Sequence, residues 1–341
     1  MDKALLERKN LDALLVAIRK VAKLFAPARD GRDGETAFSP VESTAEIHLE
    51  PVNTRLSAKG LFFPQRETLM RFSGSALSDV TLPTGAFVVF GVRPCDARSL
   101  TWLDCVFIGG GQEDPYFQER RKSAVVIAMA CDQPCASCFC TSVGGSPYGS
   151  EGADLLASAT GKEGALLFEA HSDKGGEFLR TYADFFAAVD GDTLKERDER
   201  AAAAKRRMKA LDCADLKEKL DAGIDSPLWD TLTKTCLGCG VCAYLCPVCH
   251  CFDITDEKRG AEGVRVRSWD SCQFPRFTLH ASGHNPRPLK KARMRQRIMH
   301  KFSYAVETAG TVFCSGCGRC VRACPVNLDI RRILAAFKDL Q

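Results

Sequence analysis

The pattern Cys-x2-Cys-x2-Cys-x3-Cys-Pro occurs twice in this chain. It runs through Cys236, Cys239, Cys242, Cys246 and Pro247, and again through Cys314, Cys317, Cys320, Cys324 and Pro325. Two-residue gaps let one tight loop present three thiols to a single compact object. The glycines between them, Gly238, Gly240, Gly316 and Gly318, let the backbone come close and offer its N–H groups. The proline after the fourth cysteine has a fixed φ that suits the turn ending the loop. The runs account for eight of 18 cysteines in 341 residues, so the use of the thiols decides what the chain is.

Disulfides are one use, but they belong to oxidising compartments and mostly staple small secreted domains that lack a core. With 45% apolar and 26% charged residues, this chain has the composition of a globular protein with a core of its own. Its opening, MDKALLERKN, has charges of both signs and no apolar stretch of the secretory kind. The longest apolar runs, 86–92 and 124–130, fall far short of the roughly 20 residues of a membrane span. A cytoplasmic protein with reduced thiols is expected, and reduced, clustered thiols point to metal. Lys plus Arg number 47 against 43 acids, a formal +4 that is too mild to suggest nucleic acid.

The spacing is that of bacterial ferredoxin runs, in which three cysteines of each run ligate one [4Fe–4S] cube and the fourth ligates the other. Cys236, Cys239, Cys242 and Cys324 are therefore assigned to a first cluster, and Cys314, Cys317, Cys320 and Cys246 to a second. Two zinc sites are the alternative, but structural zinc takes four ligands, typically in two pairs, and a duplicated triplet with a distant fourth fits that poorly. The swapped ligand requires the two runs to pack together, so the 67 residues between Cys246 and Cys314 form an insertion that leaves and returns.

A second set comprises Cys95, Cys131, Cys135, Cys138 and Cys140. Cys95 and Cys131 each follow an apolar run that reads as a buried strand, over 85–92 and 123–130. If those strands are parallel neighbours, both thiols emerge at one carboxyl edge, where open α/β sheets place ligands. Five thiols there suffice for a third [4Fe–4S] cluster with one to spare; a zinc site or inert packed thiols are the alternatives. Cys249, Cys251 and Cys272 form a third set inside the insertion. They read as packed thiols shielding the cubes, or as a further site completed by His250 or Cys213. Cys105 reads as core.

The expected fold is an α/β N-terminal domain plus an α+β two-cluster ferredoxin-like C-terminal domain with a helical insertion. The α/β domain is placed over residues 1–190, a charged helical connector over 191–225, and the ferredoxin-like domain over 226–341 with its insertion at 250–310. Within the first domain, 1–24 reads as a helix from the spacing of Leu11, Leu14, Leu15 and Ile18. Two Asp-Gly pairs at 30–34 read as a turn. Residues 35–80 read as short strands and turns, Asp96 as the N-cap of a helix ending near Leu103, 165–169 as a strand and 177–189 as a helix. Arg287, Lys290, Lys291, Arg293, Arg295, Arg297 and Lys301 form a basic stretch without an acid. It reads as a solvated helix face, as compensation for cluster charge, or as a docking surface for an acidic partner. Neither G-x-G-x-x-G nor a P-loop occurs.

Further segments bring a resemblance. Gly91-Val-Arg-Pro-Cys95-Asp96, Asp114-Pro-Tyr116, Arg120-Arg121 and Cys138-Phe-Cys140-Thr-Ser lie before the ferredoxin runs. Cys246-Pro-Val-Cys-His-Cys251-Phe-Asp-Ile, Trp269-Asp-Ser-Cys272, Gly283-His-Asn-Pro-Arg287 and Met294-Arg-Gln-Arg-Ile-Met-His-Lys-Phe302 lie from the end of the first run up to the second. Over about residues 85–335 the chain resembles the iron–sulfur β subunits of cytoplasmic NAD(P)-linked [NiFe] hydrogenases, the sulfhydrogenases. It is similar also to the iron–sulfur subunits of anaerobic sulfite reductases and of heterodisulfide-reductase-coupled complexes. The resemblance implies an electron-transfer subunit of a hetero-oligomer. Its partners would be a flavin subunit that handles NAD(P)H and a catalytic subunit, hydrogenase or reductase. It also implies that Cys95, Cys131, Cys138 and Cys140 hold the third cluster, with Cys135 as the spare. No chemistry of its own is expected of such a carrier. A flavin-binding reductase that acts on a small substrate itself is the alternative.

Overall fold

The computed structural model describes residues 2–29, 35–49, 53–79, 82–83, 85–111, 113–162 and 164–340. Its strands, in chain order, are β1 (Lys3–Leu6), β2 (Lys23–Arg29), β3 (Thr36–Pro40), β4 (Arg66–Ser73), β5 (Ala76–Asp79) and β6 (Phe87–Val92). They continue with β7 (Ala124–Met129), β8 (Leu155–Ala159), β9 (Leu166–Ala170), β10 (Phe252–Arg259) and β11 (Glu262–Trp269). The chain gathers into two units. One comprises Met1–Lys59, Pro83–Ala210 and Ser315–Cys317; the other comprises Gly60–Leu82, Leu211–Cys314 and Gly318–Gln341. This division differs from the one expected at residues 190 and 225. Among the described residues no helix is long and apolar enough to cross a membrane.

The first unit is built on a seven-stranded sheet of order β1-β9-β8-β7-β6-β2-β3. β2, β6, β7 and β8 run parallel; β3 and β9 pair antiparallel to β2 and β8, and β1 pairs antiparallel to β9. The central strands are the apolar runs Phe87–Val92 and Ala124–Met129, buried along almost their whole length, as parallel strands inside a sheet must be. Leu14, Ile18, Phe90, Ile127, Leu155, Phe168 and Leu179 share the core. Because β6 and β7 are parallel neighbours, Cys95 and Cys131 do leave the sheet at the same carboxyl edge. A bulge at Gly91, whose φ is +81°, ends the regular pairing of β6 just before that edge.

Several local expectations change. Residues 1–24 are not one helix: β1 pairs with β9, the helix is confined to Leu11–Arg19, and β2 starts at Lys23. The helix after β6 runs from Pro94 to Phe107 with Arg93 as its N-cap, because Pro94 suits the first helical position. Its Leu100, Leu103 and Phe107 face the core, whereas Cys105 lies on the other face and is exposed, contrary to its reading as core. The helix expected over 177–189 is Asp173–Thr181, started by the Ser172 side chain accepting from the Gly175 N–H. β2 and β3 pair antiparallel, and the Asp-Gly residues 30–34 lie outside the described residues. The connector is two helices, Gly191–Arg206 and Leu216–Ala222. The first is tied to the first unit by Arg197–Glu169 at 2.9 Å and Arg200–Asp132 at 3.3 Å.

The second unit holds both cysteine-rich loops, apart from residues 315–317, and a four-stranded antiparallel sheet of order β10-β11-β4-β5. The insertion is therefore not simply helical. It opens with the β10–β11 hairpin, which pairs with β4 nearly 200 residues upstream, and closes with the helix Lys290–Met299 and its continuation through His300–Tyr304 and Ala305–Ala309. Arg267 and Glu67 form an ion pair at 2.6 Å with both side chains buried, and Arg267 also lies 5.2 Å from the Phe63 ring centre. Trp229 stacks on Phe337 at 4.3 Å, which anchors the helix Ile330–Lys338.

Candidate metal centres

The two loops are built alike. Gly238 and Gly316 have φ of +70° and +63°, and Gly240 and Gly318 have +75° and +74°. Each loop thus turns twice through the left-handed region that glycine enters without strain, then enters a short helix, Val241–Tyr244 or Arg319–Arg322. The Gly238 N–H donates to Cys236 Sγ at 3.4 Å, and the Leu328 N–H donates to Cys324 Sγ at 3.2 Å. Backbone donors aimed at cysteine sulfur are what an anionic thiolate-bound cluster needs.

Cys236, Cys239, Cys242 and Cys324 line one cavity, closed by apolar Met294, Ile298 and Ile333. The first three thiols and Cys324, from the other run, thus share one cavity wall. Cys320 lines the same cavity, although the spacing assigns it to the other cluster. Gly240 fits only as glycine there, since a Cβ on it would stand 2.7 Å from the Phe274 ring.

Cys246 sits among two buried cations. The Lys301 ammonium donates to Cys246 Sγ at 3.4 Å and to the Phe313 carbonyl at 2.9 Å. The Arg297 guanidinium donates to Cys249 Sγ at 3.4 Å and to the Cys242 carbonyl at 2.9 Å. Burial by itself lowers the Lys301 ammonium, but Cys246, Cys249 and Cys314 outweigh it and hold the group above its ordinary value. For Arg297 the opposing thiols include Cys242, Cys249, Cys320 and Cys246. The Cys249 thiol hydrogen-bonds Cys246 and, despite burial and with both cations helping, keeps Cys246 well below the ordinary thiol range. Of the thiols assigned to the second cluster, Cys246 acts on both cations, Cys314 on Lys301 and Cys320 on Arg297. Cys317 is grouped with the first unit, where its carbonyl accepts from Asn53 at 3.0 Å.

In the first unit Cys95, Cys131, Cys135, Cys138 and Cys140 all line a second cavity, together with Asn53, Arg93 and Gly316. Cys135 and Cys138 are in contact at 2.8 Å, so the thiol ranked as spare belongs to the same cavity wall. Burial raises Cys131 and holds Cys140 up at about 11; hydrogen bonding to Cys135, then burial, raises Cys138. Asn53 reaches Cys95 Sγ at 3.9 Å. Sequence reasoning missed Asn53, which carries no motif.

The third set forms pairs. Cys251 and Cys272 hydrogen-bond each other across the open end of the β10–β11 hairpin, and Cys249 pairs with Cys246. His250 turns Nδ1 to the Val248 carbonyl at 3.0 Å. Among the described residues no three His, Cys, Asp or Glu side chains converge tightly enough for a single metal ion. The cavity-lining thiols, glycine turns and buried cations instead suit a larger anionic cluster with sulfur ligands.

Comparison with known proteins agrees with this geometry. Residues 235–328 match the family described as 4Fe-4S dicluster domain. The chain is 32% identical over 326 residues to the sulfhydrogenase 2 subunit beta of Pyrococcus furiosus, covering 94% of each chain. Among solved structures, the serine palmitoyltransferase of Sphingomonas wittichii matches with 9% identity and a TM-score of 0.19, over 64% of this chain and 56% of that one. That likeness carries no argument. Similarity along nearly the full length, together with the dicluster domain, shows that the chain belongs to the family of sulfhydrogenase beta subunits, iron–sulfur subunits of the electron-transfer kind.

Proposed function

We propose that this chain relays electrons within a multi-subunit oxidoreductase. Its partners are a flavin subunit that handles NAD(P)H and a catalytic subunit, either hydrogenase or reductase of sulfur compounds or heterodisulfides. Three [4Fe–4S] clusters serve the relay. Cys236, Cys239, Cys242 and Cys324 hold the first; Cys314, Cys317, Cys320 and Cys246 hold the second. Cys95, Cys131, Cys138 and Cys140 hold the third, with Cys135 beside it. The observation that carries the reading is the common cavity of Cys236, Cys239, Cys242 and Cys324, residues drawn from both runs.

A bound cube supplies reversible one-electron chemistry. The chain's own part is to hold the thiolates, exclude water and set the local field. Met294, Ile298 and Ile333 keep the first cavity apolar. N–H groups and the buried Arg297 and Lys301 offset negative charge, which favours added electrons. The loop at Cys236–Cys242 reaches the surface, with Leu237 59% exposed and Cys239 exposed, a suitable place for exchange with another protein of the complex.

Anaerobic purification of the complex through a tag on this chain tests the reading. A flavoprotein and a hydrogenase or reductase should copurify, and NADH or NADPH should reduce the clusters of this chain only when the flavoprotein is present. An isolated chain that releases flavin and oxidises NAD(P)H alone supports the independent reductase instead.

A further inference from the structure

The helix Lys290–Met299 and its continuation carry cations at 293, 297 and 301, one every four residues and so on one face. That face is buried: Arg297 is 3% exposed and Lys301 4%. Arg293 is taken up by backbone carbonyls, of Gln273 at 3.0 Å and of Pro288 at 2.6 Å. Arg297 and Lys301 differ, because each divides its donors between one carbonyl and one cysteine sulfur. Lys301 lies in a π-helical turn, His300–Tyr304. Such widened turns are frequent at functional sites.

Placing two cations in a protein interior is strongly unfavourable unless anions meet them there. Here Cys246 and Cys249 receive them. We propose that Arg297 and Lys301 are positioning residues that set the reduction potential of the cluster ligated through Cys246. Lys301 acts on the ligand sulfur itself, and Arg297 acts through the neighbouring Cys249. The inference rests on the proposed ligand role of Cys246. Reduction adds one negative charge to a cluster, and a fixed positive charge at hydrogen-bond distance from its ligand favours that state. Removing the charge therefore makes this cluster harder to reduce.

The test is a potentiometric titration, followed by electron paramagnetic resonance, of the full chain loaded anaerobically. Lys301→Gln keeps an N–H donor and removes the charge; Lys301→Arg keeps the charge. The expected result is a lowered potential for one cluster in Lys301→Gln, at least tenfold in electron affinity or about 59 mV for a one-electron couple. The other clusters should not move, iron content should stay complete, and Lys301→Arg should restore the potential. Arg297→Gln should lower the same cluster. Potentials unmoved in both Gln variants at full iron content overturn the proposal. Loss of the cluster in Lys301→Gln with an unmoved potential in Arg297→Gln makes the cations purely structural and also overturns it. A wild-type chain that binds no iron removes the ligand assignment, which is a separate failure.

Discussion

The Phe139 N–H donates to the Gly316 carbonyl at 2.8 Å, so the loop carrying Cys138 and Cys140 is bonded to the middle of the second ferredoxin run. A Cβ on Gly316 would stand 2.5 Å from the Cys140 nitrogen, and its φ of +63° disfavours any other residue. Gly316→Ala is therefore expected to disturb the Cys138–Cys140 loop as well as the run in which Gly316 lies. Iron per chain should fall by about four or more, one cube or its equivalent. Unchanged iron content in this variant would show that the contact is dispensable.

Cys324→Ser separates the swapped arrangement from a local one. The variant is expected to lose the signal of the cluster held by Cys236, Cys239 and Cys242, about eighty residues upstream. The cluster served by Cys314, Cys317 and Cys320 should remain. Magnetic spectroscopy of the reduced chain distinguishes the two, and loss of the neighbouring cluster in place of the distant one contradicts the assignment.

The first-unit cavity has a pH signature. Burial holds the Cys140 thiol at about 11 against an ordinary 9.0. Between those values the unfolded chain has released a proton that the folded, iron-free chain retains, so stability falls as pH rises through the window. Cys140 alone accounts for about 2 kcal/mol of that loss. Ligation requires thiolate, so cluster uptake strengthens over the same range. Denaturant unfolding of the iron-free chain at several pH values checks the first trend and reconstitution yield the second. Iron-free stability that rises from pH 9 to 11 is the contrary result.

Glu67 and Arg267 join β4 to β11 by a buried ion pair. Glu67→Ala leaves the guanidinium buried beside Phe63 and Phe252 without its carboxylate. About 3 kcal/mol of stability should be lost. The double variant Glu67→Leu with Arg267→Met should recover most of it. Urea midpoints of the loaded proteins measure both, and a neutral Glu67→Ala refutes the importance of the pair.

The same pair shows why parts of the fold are hidden in the sequence. β4, which pairs locally with β5, finds its other partner in a hairpin nearly 200 residues later, and nothing local in 66–79 announces it. β1 is four residues long and exists because β9 offers an edge, so the helical spacing nearby masks it. Apolar runs with no such dependence are readable: β6 and β7, and through their parallel pairing the common edge of Cys95 and Cys131. The cysteine runs are legible because each loop is local, down to its left-handed glycines. Arg297 and Lys301 are visible only as members of a basic stretch. Their four-residue interval is the available signal, but burial depends on which face the insertion turns inward. Asn53 reaches its sulfur from a distant loop and leaves no trace in the pattern.

The most direct test of the central claim is elemental: iron, acid-labile sulfide and zinc measured per chain in anaerobically purified protein. Three cubes predict about twelve iron and about twelve sulfide, with zinc near zero. Iron and sulfide near zero, with zinc in stoichiometric amount, would contradict the account.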